Sequence, residues 1–106
     1  AFDYETGNKN LTKFLELAKK HEMYVLIRPG PYVCAEWDFG GMPARLLGIK
    51  GLTIRAHNTL FLAETKIYFD SLVPILKPFL AANGGPIILL QIENEYAFYG
   101  SDKKYM

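Results

Sequence analysis

The sequence predicts an α/β fold built on a parallel sheet. Two apolar runs without polar alternation, Tyr24-Val25-Leu26-Ile27 and Ile87-Ile88-Leu89-Leu90-Gln91-Ile92, read as strands. A long helix-patterned segment lies between them, and polar residues collect where each run ends. Strands joined through a helix pair in parallel by right-handed crossovers. Uniformly apolar runs suit strands covered on both faces.

Each element has a local reason. From about Asn8 to Glu22, Leu11, Phe14, Leu15 and Ala18 recur at helical spacing and mark one buried face. Asn8 or Asn10 suits the start of this helix, and Lys19, Lys20 and His21 suit the negative end of its dipole. The first strand ends at Arg28 and is stopped by Pro29-Gly30-Pro31. Residues 32–58 are rich in Gly and Pro and read as a long loop with short helical turns. From about Leu60 to Ala82 the helical pattern returns, with a kink or restart expected at Pro74 and Pro78. Asn83-Gly84-Gly85-Pro86 then stops the chain before the second strand, which runs into Glu93-Asn94-Glu95-Tyr96.

Composition narrows the function classes. Half of the 106 residues are hydrophobic, as in a chain that builds a core. Twelve basic and eleven acidic residues are spread along it, so no patch for nucleic acid or for a membrane surface stands out. No apolar run approaches the roughly 20 residues of a membrane span. Cys34 is the single cysteine, and His21 and His57 lack metal-ligand spacing, so neither a disulfide, a metal site nor a cofactor is expected. The sequence opens at Ala1 without a charged-then-apolar leader and reads as an internal piece of a longer chain. In a (β/α)8 barrel the active site lies at the C-terminal ends of the strands, where the polar residues sit here. A closed barrel needs about 250 residues, so residues 1–106 read as a slice of one barrel domain.

The acidic cluster Glu93-Asn94-Glu95 is the strongest chemical feature, because a strand end can shelter a carboxyl group and tune it for proton transfer. Alternation puts Gln91, Glu93 and Glu95 on one face and Asn94 on the other, which does not decide which glutamate meets a substrate. A structural carboxylate, paired with a cation beneath the site, is the expected role of Glu93, and Arg28 on the neighbouring strand is the expected partner. At the first strand end, Glu36 beside Trp37 offers a hydrogen-bonding carboxylate and an apolar indole face, a pairing suited to sugar.

Two stretches carry a resemblance. Arg28-Pro29-Gly30-Pro31-Tyr32-Val33-Cys34-Ala35-Glu36-Trp37 with Gly40-Gly41-Met42-Pro43-Ala44 resembles the β-galactosidases of glycoside hydrolase family 35. Gly84-Gly85-Pro86-Ile87-Ile88 followed by Gln91-Ile92-Glu93-Asn94-Glu95-Tyr96 does so too, in the family's order and spacing. The resemblance implies a partial (β/α)8 barrel, with these as strands three and four and their flanking helices. It implies that Glu95 is the catalytic acid/base and that Asn94 binds the 2-hydroxyl of the sugar. It further implies that Glu36, Cys34 and Ala35 contact galactose hydroxyls. The nucleophilic glutamate would come from a seventh strand outside this sequence, so the isolated chain should be inactive. A lysosomal or extracellular enzyme acting on β-galactosides is implied. Oligomeric state is not. The chain departs from the family pattern at Ala97, where Gly is usual, and at Arg45, where Trp is frequent, on the leaving-group side.

Two other readings compete. One is a retaining glycosidase for a different sugar, since Asn-Glu at a fourth strand is shared beyond this family. The other is a non-catalytic galactose-binding relative that keeps Glu36 and Asn94 but has lost its nucleophile.

Overall fold

Asn10 starts the first helix: its side chain accepts a hydrogen bond from the Lys13 backbone N–H at 2.8 Å. The computed structural model describes residues 2–106, and this helix, α1, spans Leu11–Lys20. It begins later than the periodicity alone implied, because Asn8 belongs to a separate 3-10 turn, Gly7–Lys9. Asp3 organises that turn by accepting from the Glu5 and Thr6 N–H groups and from Lys9 Nζ. Those donors, led by Thr6, hold its carboxyl well below the usual carboxylate range.

Strand β1 spans Val25–Gly30 and β2 spans Ile87–Ile92, and they pair as a two-stranded sheet. Val25 N–H donates to Pro86 O at 2.9 Å near both strand starts, and Glu93 N–H donates to Gly30 O at 2.8 Å at both ends. Start meets start and end meets end, so the pair is parallel, as expected. Between them, helix α2 covers Thr59–Leu76 and passes through Pro74 without ending there. It stops ahead of Pro78, and 3-10 turns at Lys77–Phe79 and Ala81–Asn83 complete the segment. A Cβ on Gly85 would lie 2.0 Å from the Phe79 carbonyl oxygen, so only glycine lets the chain pass there.

The chain divides into two compact units. One comprises the residues up to Ile27 together with Tyr68–Leu90. Its core joins Leu15 and Ala18 of α1, Leu72 and Leu76 of α2, and the strand residues Val25 and Ile87. The other comprises Arg28–Ile67 and Gln91–Met106. Its core gathers Met42, Leu46 and Phe61, with Tyr32 and Tyr105 packed against it. This second unit holds every residue singled out for chemistry in the sequence.

The strands are not covered on both faces within this chain. Leu26, Ile88, Leu89, Leu90 and Ile92 are exposed, and of β2 only Ile87 is buried, in the core with Val25 and residues of α1 and α2. Open strand edges beside exposed aliphatic side chains favour pairing between chains. Produced alone, the 106-residue chain is therefore expected to self-associate, as sedimentation velocity would reveal. A monomer with a cooperative unfolding transition would contradict this. Among the described residues, no helix is long and apolar enough to cross a membrane.

Candidate active site

The backbone turns left-handed where β2 ends. Glu93 has φ 63° and Glu95 has φ 50°, so the alternation of side chains breaks after Ile92. Two neighbouring residues, Glu93 and Asn94, are consequently both buried, whereas Glu95 is exposed. The Glu95 carbonyl accepts from the Phe98 and Tyr99 N–H groups and starts a short helix, α3, over Tyr96–Tyr99. A helix of four residues is too short to leave a periodic signal in the sequence.

Glu93 is only 2 % exposed and carries no bond to Arg28. Its cation is Arg55, whose Nε and Nη2 donate to Oε2 at 3.0 and 2.9 Å. Tyr105 O–H donates to the other oxygen at 2.7 Å, and Asn94 N–H reaches Oε2 at 3.2 Å. The expectation of a buried ion pair holds, but its partner is corrected: Arg28 lies on an exposed position of β1, whereas Arg55 is 8 % exposed. Burial, reinforced by the bond to Glu93, pushes the Tyr105 phenol well above its ordinary range, so it stays a neutral donor. The Arg55 guanidinium lies 3.9 Å from the Tyr32 ring centre and 5.2 Å from that of Tyr96.

Arg55 also sits in the left-handed region, at φ 50°, and its carbonyl accepts from Tyr96 O–H at 2.8 Å. Nearby, Asp102 accepts from the His57 N–H at 2.7 Å and from Lys104 N–H, which holds its carboxyl below the usual range. These bonds tie the segment after α3 to the residues that precede α2. Sequence reasoning missed Arg55, because residues 38 apart carry no local pattern. Of the three arginines, Arg45 is engaged elsewhere: it donates to Glu64 at 2.6 Å on an exposed surface. It thus ties the 3-10 turn Ala44–Gly48 to α2.

At the end of β1, Cys34, Ala35 and Glu36 follow one another with φ of 62°, 55° and 50°. Three such non-glycine residues cost about 1–2 kcal/mol each. Two bonds oppose that strain, Trp37 N–H to Cys34 O at 3.0 Å and Val33 N–H to Gly40 O at 2.9 Å. A Cβ at Gly40, itself at φ 62°, would fall 2.0 Å from the Tyr32 ring, so glycine allows the loop to close on that ring. Cys34 is half-buried, and the influence of its thiol, with burial, raises the Tyr32 phenol. Ala35, Glu36 and Trp37 are exposed.

The structure thus gathers Glu93, Asn94 and Arg55 into one buried cluster, with Tyr32 linking it to the β1 loop. Among the described residues no hydrogen bond or ion pair joins the Glu36 carboxylate to that of Glu95. Nor does any cluster of His, Cys, Asp and Glu there have the arrangement of a metal site. Chemically, the arrangement offers an exposed carboxyl group, Glu95, on a turn anchored by a buried ion pair. A second exposed carboxylate, Glu36, stands beside an indole.

Comparison with known proteins adds the family context. A family model described as glycosyl hydrolases family 35 matches residues 1–106. The chain is 43 % identical over 100 residues to beta-galactosidase 1 of Dictyostelium discoideum, covering 94 % of the chain and 15 % of that protein. It is 44 % identical over 105 residues to a beta-galactosidase of Xanthomonas manihotis, covering 99 % of the chain and 17 % of the relative. With the Bos taurus beta-galactosidase it shares 44 % identity over 94 residues, covering 89 % of the chain and 14 % of the relative. The chain therefore spans only a small part of the length of these relatives.

Proposed function

The chain belongs to glycosyl hydrolase family 35, and on that premise we propose that it forms part of the catalytic domain of a retaining β-galactosidase. Residues 1–106 would supply strands three and four of one (β/α)8 barrel, with their flanking helices. The observation that carries this reading is the family match over the whole chain, combined with an exposed Glu95 directly after a buried Asn94 at the end of a parallel strand.

Retaining glycosidases use two carboxyl groups about 5 Å apart, one as nucleophile and one as acid/base. Glu95 is assigned the acid/base role. Its carboxylic acid protonates the glycosidic oxygen as the bond to the anomeric carbon breaks and the nucleophile takes that carbon. Its carboxylate then removes a proton from the water that releases galactose. The nucleophile lies elsewhere in the longer protein, so these 106 residues are inactive alone. Asn94 holds the 2-hydroxyl, a contact that strengthens as positive charge develops on the ring. Glu36, with Cys34 and Ala35, contacts galactose hydroxyls, and the loop that carries them keeps three successive residues in the left-handed region. Glu93 serves as structural support. A lysosomal or extracellular setting for the parent enzyme is part of the same proposal.

The stereochemical outcome tests this reading. Hydrolysis of an aryl β-galactoside by the full-length protein, followed by proton NMR, should give β-galactose first, with the α anomer appearing only by mutarotation. First release of α-galactose would exclude the two-step mechanism. Galactose binding without hydrolysis would favour the non-catalytic reading.

A further inference from the structure

Arg55 contacts both ends of the turn that carries Glu95. Nη2 donates to the Asn94 carbonyl at 2.6 Å as well as to Glu93, and Nη1 reaches the Tyr99 carbonyl at 3.4 Å. Glu95 lies between those two carbonyls, in a left-handed conformation that an L-residue disfavours. The turn therefore needs external restraint. The planar guanidinium supplies it from a fixed place, near the rings of Tyr32 and Tyr96 and against the buried Glu93 carboxylate.

We propose that Arg55 is a positioning residue for the acid/base, clamping the segment from Glu93 to Tyr99 so that Glu95 and Asn94 keep their directions. Arg55 acts through the Asn94 carbonyl and the Glu93 carboxylate. This role rests on the β-galactosidase reading. Lysine cannot replace it, because an ammonium is a compact point charge without the fork that meets Glu93 and Asn94 together. The loss should appear in proton transfer first, since that step depends on the aim of one carboxyl group.

The test compares full-length wild type with Arg55→Lys on aryl β-galactosides of graded leaving-group acidity, scored by kcat/KM. For poor leaving groups, which need protonation, the variant should lose about 10²-fold, the scale expected for a misplacement of about 1 Å. A dinitrophenyl galactoside, which leaves without a proton, should be far less affected. A merely structural role would lower every substrate by the same factor, and that uniform loss overturns the proposal, as does an unchanged profile. Should Arg55→Lys not accumulate as folded protein, Tyr105→Phe carries the test. It frees one oxygen of Glu93, and a smaller loss biased toward poor leaving groups is expected; no bias overturns the proposal. A wild type inactive on every β-galactoside overturns the galactosidase reading and this role with it. An active wild type whose variants keep the wild-type leaving-group profile overturns this role alone.

Discussion

Glu95→Gln in the full-length enzyme is expected to lower kcat/KM for a poor aryl leaving group by about 10²–10⁴-fold, the usual contribution of general acid catalysis. A dinitrophenyl galactoside should keep most of its kcat/KM, because its phenolate departs without a proton. Its kcat should nevertheless fall, since glutamine cannot deprotonate the water that resolves the galactosyl-enzyme. Glutamine preserves size, and the Glu95 side chain is exposed, so folding should be unaffected. An equal loss for both classes of leaving group would remove Glu95 from the acid role. The same substitution at Glu36 should instead weaken galactose contacts without any leaving-group bias.

The largest effect on stability is expected at Arg55→Met. The substitution leaves the Glu93 carboxylate buried without its cation, and breaking a buried pair from one side costs about 3–5 kcal/mol. Tyr105 O–H and Asn94 N–H still bond that carboxylate but bring no full charge. Adding Glu93→Gln to Arg55→Met removes the stranded charge and should recover part of the loss. The two single substitutions and the double form a cycle, read from urea midpoints of the full-length protein. Strict additivity would mean that the pair contributes no coupling.

Much of the scaffold was legible because it is local. The spacing of Leu11, Leu15 and Ala18 marked α1, and the uninterrupted run from Ile87 to Ile92 marked β2 at its observed bounds. At Pro74 the helix does not restart, and α2 continues to Leu76. The site was legible as a motif but not as a geometry. Glycine signals a left-handed turn in a sequence, yet here Glu93, Glu95, Cys34, Ala35 and Glu36 adopt it, and nothing in those residue types announces it. That turn is why strand parity failed to separate Glu93 from Asn94. The need of a buried carboxylate for a cation was foreseeable, whereas the choice of Arg55 over Arg28 depends on how a long loop folds back. Arg45, a departure from the family pattern, is explained in part by its bond to Glu64, a contact no local spacing encodes.

Azide distinguishes Glu95 as the proposed acid/base of a retaining β-galactosidase from any other role. Full-length Glu95→Gln is incubated with a dinitrophenyl β-galactoside and sodium azide, and the sugar product is identified by NMR. Azide needs no general base, so turnover should recover and β-galactosyl azide should form. Absence of rescue, or formation of the α-azide, would contradict the assignment.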